Sequence, residues 1–338
     1  MKLGKFTIPF NKAQRDPDKV KTDTTLQRML RRREPILLLL LLLIAIGLQI
    51  ASGYKFLNPE NLLAMVDRKA PEAFVTIGIT YLLITKDFDL SVASVMALSG
   101  MVCAWLISQD TSLIIALIGG VIAGSLIGAL NGMMVTKFKV ASFIATLGTM
   151  YIARSITQII AQGKPISDMP ESFIAIGTYR ILGIPWYFLM LIVVITVLQI
   201  LLKKQKSMSK LFYIGTNESA SQMVGINTAK MRWIMFIVSA VIASIAGLIL
   251  TAKSYSASPI AFDKLELRYI AACVIGGASI SGGQGSIVGS VLGFLLIVLI
   301  GNSMTLFGIS PYWEGVIFGC VLAIAATADA LSQKKKGR

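Results

Sequence analysis

Apolar residues in this chain fall into runs too long for strands or ordinary core helices, separated by short polar links. Ten runs mark candidate membrane spans, roughly 36–52, 71–85, 91–108, 112–135, 140–161, 185–202, 233–251, 269–281, 286–302 and 312–331. A straight crossing needs about 20 residues, and the second and eighth runs are shorter. They predict tilted or broken helices, whose irregular backbone would have to line a protein interior. The first run follows a basic segment of 35 residues, longer than the leading region of a cleavable signal, and reads as a retained signal-anchor helix. The expected fold is an all-α polytopic membrane protein of about ten transmembrane helices. A basic arm (1–35) precedes the membrane domain (36–331), which contains one long polar loop (203–232), and a short basic tail follows (332–338).

Composition supports a bilayer. Of 338 residues, 55% are hydrophobic and 14% are charged, where soluble domains carry about 25% charged residues. The net charge of +15 would suggest nucleic acid if it were spread over a soluble surface, but its distribution is lopsided. With the N-terminus in the cytoplasm, 23 of the 32 Lys and Arg residues fall on the cytoplasmic side, 8 fall on the outer side and Arg154 lies within a span. That bias predicts that both termini are cytoplasmic and that no nucleic acid is a partner. Runs such as Arg31-Arg32-Arg33 and Lys334-Lys335-Lys336 abut spans, where they set topology or meet anionic lipid headgroups. The chain has no His, the commonest metal ligand and neutral-pH general base, so metal or triad catalysis is not expected. Cys103, Cys273 and Cys320 are far apart in apolar runs and suggest neither a disulfide nor a metal site.

Glycines carry a second pattern. Gly120, Gly124, Gly128 and Gly132 recur every fourth residue, giving one helix a face that another backbone can approach closely. Gly285, Gly289 and Gly293 repeat the spacing 165 residues later, and GSLIG (124–128) matches GSVLG (289–293). Packing alone or an internal duplication would each give this register, and duplicated halves are a common transporter plan. Gly276-Gly277 and Gly282-Gly283 flank the end of the eighth run, where they permit close packing or a helix break.

Polar residues near the spans are few. Asp87 and Asp89 lie in the link KDFDLS (86–91). Asp87 reads as a solvated loop end beside Lys86, whereas Asp89 and Ser91 either cap the third span or face a pathway. Arg154 lies about 14 residues into its span and predicts an ion pair or a carbonyl contact inside the bundle. In the polar loop, Asn217 suits an N-cap, Glu218 the positive end of a helix dipole and Gly225 a C-terminal stop. This predicts a helix of about two turns, too short to stand alone and therefore docked on the spans or on a partner.

Several segments together resemble the permease subunits of ATP-binding-cassette importers for ribose and other monosaccharides. They are FDLSVAS (88–94), ALNGMMVTKFKV (129–140), FIATLGTMYIARS (143–155), YIGTNESASQMVGI (213–226) and LELRYIAACVIGGASISGGQGSIVG (265–289), with ISPYW (309–313) similar too. The resemblance implies a bundle like that of the vitamin B12 importer permease. It also implies a second permease copy or homologue, a separate ATPase that holds ATP and Mg, and a periplasmic sugar-binding protein. It assigns the loop helix the role of coupling to the ATPase, through Gly215, Asn217, Glu218, Ala220 and Gly225. The chain has no GxxxxGK[ST] phosphate loop, since neither of its Gly-Lys pairs, Gly4-Lys5 and Gly163-Lys164, has a glycine five residues earlier, so it cannot hydrolyse ATP by that means. The resemblance implies a transport subunit that binds no cofactor and is not itself an enzyme.

Ala93, Ser142 and Ala220-Ser221 depart from the family pattern, which commonly has glycine, proline and paired alanines there. The expected mechanism is alternating access, with Asp89, Ser91, Asn131, Thr146, Thr149 and Arg154 as candidates for the pathway lining. A permease for nucleosides or branched-chain amino acids and an ion-driven secondary transporter are the alternatives.

Overall fold

The computed structural model describes residues 33–310, 312–320, 323–324 and 327, and it is almost entirely helical. Most of the basic arm, the short tail and most of the last part of the tenth run lie outside the described residues. The first helix, α1 (Arg33–Ala51), is the apolar run itself. Next comes α2 (Pro59–Ile84), which starts twelve residues before the second apolar run. Asn58 caps it by accepting from the Glu60 N–H, and Pro59 occupies the first turn, where its missing N–H costs nothing. The second run is therefore the second half of one continuous helix of 26 residues, about 39 Å long.

Pro71 lies inside that helix and cannot donate to the Asp67 carbonyl. The Tyr187 hydroxyl donates to it instead at 2.9 Å, so the freed acceptor is satisfied without water.

Then follow α3 (Val92–Ser108), α4 (Leu113–Thr136) and α5 (Ser142–Ala161). A short helix α6 (Glu171–Thr178) and a two-stranded turn, β1 (Arg180–Ile181) against β2 (Ile184–Pro185), lead into α7 (Trp186–Lys204). The polar loop holds α8 (Lys206–Thr216) and α9 (Glu218–Met223), and α10 (Thr228–Lys253) returns through the bundle. After it come α11 (Glu266–Ile275), α12 (Ile287–Leu306) and a further helical segment at 313–320. Among the described residues, six helices are long and apolar enough to cross a membrane, namely α1, α4, α5, α7, α10 and α12; α3 is apolar but shorter, with 17 residues.

The eighth run is broken, as its length and glycines suggest. Ten residues of α11 span about 15 Å, and the chain then continues without regular structure through 276–286 before α12 begins. Gly277, Gly282 and Gly283 take positive φ in this stretch, which side chains rarely tolerate.

At the centre, α10 packs on α2, α3 and α4, while α2 also packs on α11 and α12. Helices α3 and α4 pack on each other, as do α11 and α12. The two trios, α2–α3–α4 and α10–α11–α12, thus exchange partners in matching fashion, and α2 lies 165 residues before most of α10, the same offset as the two glycine faces. Those faces mark where backbones meet. A side chain at Gly120 would strike α3, one at Gly124 would strike α10 at Ser244 and α3 at Ser99, and one at Gly128 or Gly132 would strike α10 at Ala240 or Trp233. At the other seam Gly276 and Gly289 lie against each other's backbone, Gly293 lies against the Ala272 carbonyl, and Gly285 meets Ile84.

This packing predicts a contrast. Gly293→Ala forces a backbone shift and is expected to destabilise the detergent-purified protein by about 1–3 kcal/mol, whereas Gly148→Ala points into open space and should melt like the parent. Equal melting temperatures would remove the seam's role.

Candidate functional site

One end of the bundle gathers the link 85–91, the α4–α5 turn, the 203–227 segment and the 276–286 stretch. Here α8 presses its Gly215 against the last turn of α2, so closely that a Cβ would collide with the Ile84 carbonyl. The same carbonyl accepts the Gly283 N–H at 2.9 Å, and Gly282 abuts Gly215. Three chain segments therefore meet with almost no side chain between them. Glycine at 215, 282 and 283 is what that crossing requires.

Beyond Gly215 the chain turns into α9. Asn217 caps it, accepting the Ala220 N–H at 2.9 Å, and Gly225 stops it with φ +81°. Ala220 and Ser221 lie along a cleft between α8 and α9 that Lys204, Lys206, Lys210 and Tyr213 also line. Met223 and Val224 project from the end of the helix at 87% and 76% exposure. The tip of α9 is thus apolar and bare, and Lys204, Lys206 and Lys210 lie along the cleft beside it.

Glu218 turns the other way. Its carboxylate meets the Arg232 guanidinium at 3.2 Å and accepts from the Thr228 hydroxyl at 3.0 Å. Arg232 also makes a two-pronged contact with Asp87, Nε to Oδ2 at 2.8 Å and Nη2 to Oδ1 at 2.6 Å, and Thr85 donates to the same carboxylate. Asp87 is fully buried, which corrects its reading as a solvated loop end. An isolated carboxylate could not be buried so; the forked arginine is what makes its burial tolerable.

Asp89, two residues on, begins a second network. The Ser91 N–H and hydroxyl both donate to it, at 2.8 and 2.6 Å. The Asn131 amide then donates to Ser91 at 2.9 Å, and Thr149 donates to Asn131 at 2.6 Å. Thr146 closes the group by accepting the Leu90 N–H at 3.1 Å. The structure thus brings together Asp89, Ser91, Asn131, Thr146 and Thr149, all buried, in one cluster that ties the start of α3 to α4 and α5.

Arg154 is not among them. It donates to the Ala261 carbonyl at 2.6 Å and holds the 254–265 loop at the opposite end of the bundle. At that end too, Asp67 pairs with Lys253 and Arg180 and accepts from Tyr187. The buried Glu72 pairs with Lys69 at 2.6 Å.

Sequence reasoning did not single out Arg232, Asp67 or Glu72. Arg232 sits at the basic start of a span, where positive charge needs no further explanation, and its partners lie 14 and 145 residues away. No local pattern signals such a pairing.

The middle of the chain matches a family model described as the permease component of the branched-chain amino acid transport system, over residues 63–326. A ribose import permease of Haemophilus influenzae is 35% identical over 285 residues, 83% of this chain and 88% of that protein. The ribose import permease of Bacillus subtilis is 34% identical over 276 residues, covering 81% and 86%. An L-arabinose transport system permease of Escherichia coli is 33% identical over 293 residues, covering 87% and 88%. The chain belongs to this permease family. It is a multi-pass, all-α membrane transport component. No solved structure matches it.

Burial pushes the Asp89 carboxyl up to about 6, against the pull of its two bonds from Ser91 and with a smaller push from the Asp87 charge. A group whose folded pKa is raised binds its proton more tightly when folded. Its contribution to stability is therefore full below the ordinary 3.8 and is lost as pH rises through about 6. Asp89→Asn keeps an acceptor oxygen for both Ser91 bonds and drops the charge. The variant is expected to lose that part of the fall in melting temperature between pH 4 and pH 6; an unchanged slope would assign the fall to another group.

Proposed function

We propose that this chain is the membrane permease of an ATP-driven importer for a monosaccharide. The observation that carries the reading is its likeness, over more than four-fifths of its length, to permeases named for ribose and arabinose. The family description names amino acid transport, but these relatives are sugar permeases, and pentoses or similar sugars are the substrate class they favour.

In this reading both termini are cytoplasmic, because the lysine-rich end formed by 203–232 then faces inward. Ten membrane elements result when α2, α3, the α11 segment with its 276–286 extension, and the segment beginning near 312 join the six long helices. The bundle would then match that of the vitamin B12 importer permease. Two permeases, identical or different, stand side by side in the inner membrane, and a binding protein delivers sugar to the outer loops 161–184 and 252–268. ATP and Mg belong to a separate ATPase, while this chain binds no cofactor of its own.

The ATPase docks on α9 and opens the pair to one side at a time. Gly215 sets the close approach of α8, Asn217 and Gly225 define the helix, Ala220 lines the docking cleft and Glu218 anchors the helix from behind. The Asp89–Ser91–Asn131–Thr146–Thr149 cluster stiffens the pathway wall, and Arg154 fixes the loop at its outer mouth.

Because Glu218 is engaged within the chain, docking is better probed at the exposed tip of α9. Tagged protein purified in mild detergent from its host should bring an ABC ATPase subunit with it, and Met223→Asp with Val224→Asp should lower that recovery at least tenfold while the permease still elutes as a folded species. An ATPase recovered in equal amount with the variant would place docking elsewhere; none recovered with the parent would favour an ion-driven transporter.

A further inference from the structure

The link between α2 and α3 is held from both sides. On one side Asp87 grips Arg232, which also holds Glu218 of α9. On the other side Asp89 begins the cluster that reaches Asn131 in α4 and Thr149 and Thr146 in α5. The last turn of α2, immediately before the link, carries the Ile84 carbonyl against which Gly215 and Gly283 are stacked.

We infer that Arg232 is the positioning residue through which displacement of α9 reaches the membrane helices, with the 85–91 link as the element that moves. This rests on α9 being the ATPase-docking helix.

The chemistry of the guanidinium makes the assignment specific. Nε and Nη2 face one carboxylate and Nη1 faces the other, so a single planar group joins two chain segments. A lysine could satisfy one carboxylate or sit between both, but it cannot hold the two in a fixed mutual orientation. Burial adds stiffness. Asp87 is fully buried and the Arg232 side chain is 14% exposed, so releasing the Asp87 contact would strand a charge away from water. Glu218, at 37% side-chain exposure, is the weaker partner. Movement of α9 therefore has two outcomes at this point: the link follows, or the Glu218 contact opens first. Both make the contact between α9 and Arg232 the place where coupling is set.

The experiment uses the complete importer, permease with its ATPase and sugar-loaded binding protein, in proteoliposomes, and reads sugar transported per ATP hydrolysed. Arg232→Lys keeps a positive charge beside Asp87, and Asp87→Asn with Arg232→Gln removes the buried charge and its partner together, so folding of one does not depend on folding of the other. Both are expected to lower the transport ratio at least fivefold, and to blunt stimulation of ATP hydrolysis by loaded binding protein, with the wild-type amount of ATPase still bound. Asp87→Asn and Glu218→Gln should each lower the ratio, and the double variant should be no worse than the poorer single one, since both act through Arg232.

A wild-type ratio in Arg232→Lys and in the neutral pair would overturn the assignment. Loss of bound ATPase in both would also overturn it, by reducing Arg232 to a brace for the docking surface, as would losses in the Asp87 and Glu218 variants that multiply. Failure of the underlying reading looks different: the ATPase is then absent from the unmodified complex or indifferent to Met223→Asp.

Discussion

Inside a bilayer there is no water to accept an orphaned N–H, C=O or charge, so every such group must find its partner within the protein. The path of this chain follows from that constraint more than from hydrophobic burial, which does not separate one apolar helix from lipid. Pro71 can stand in the middle of α2 because Tyr187 takes up the carbonyl it abandons. Residues 276–286 can leave helical conformation because they lie against α2 and α8, where Gly283 finds the Ile84 carbonyl. Asp87 can be buried because Arg232 crosses from another helix to meet it.

The glycine faces answer the same constraint from the side of dispersion. Where the hydrophobic effect cannot drive helices together, close backbone approach supplies the contact energy. That explains why small residues line α4 and α12 on the sides facing α3, α10 and α11. The two faces share a spacing and a partner-exchange pattern, so one packing solution is used twice, around a centre where α2 and α10 touch.

How much of this was legible in the sequence differs by feature. The long apolar helices were readable because a bilayer selects run length directly, and α4, α5 and α7 begin and end within two residues of the runs that mark them. The break after Ile275 and the cap at Asn217 were readable because glycine and Asn act locally. The first half of α2 was not, since Glu60, Asp67, Arg68 and Lys69 interrupt its hydropathy and the partners of Asp67 lie more than 100 residues away. Asp87 was misread for the same reason. A charged residue beside a lysine in a short link has the local signature of a solvated turn, and only tertiary structure shows that Arg232 is waiting for it.

That failure has a physical meaning. Stability arguments alone do not favour burying a carboxylate, because a well-packed apolar side chain would usually serve as well. What a buried pair of this geometry adds is orientation: the arginine fork fixes the angle between the 85–91 link and α10, and its third nitrogen extends that order to α9. The Asp89 cluster does the same for α3, α4 and α5 through a series of hydrogen bonds that runs from Asp89 by way of Ser91 and Asn131 to Thr149. A six-residue helix at the surface is too short to hold its own shape, yet here Arg232 ties it to α10 and the 85–91 link, and Asp89 ties the same link to α3, α4 and α5. Contacts of that kind hold a short surface helix and the membrane helices in one fixed arrangement without leaving a buried charge for water to satisfy.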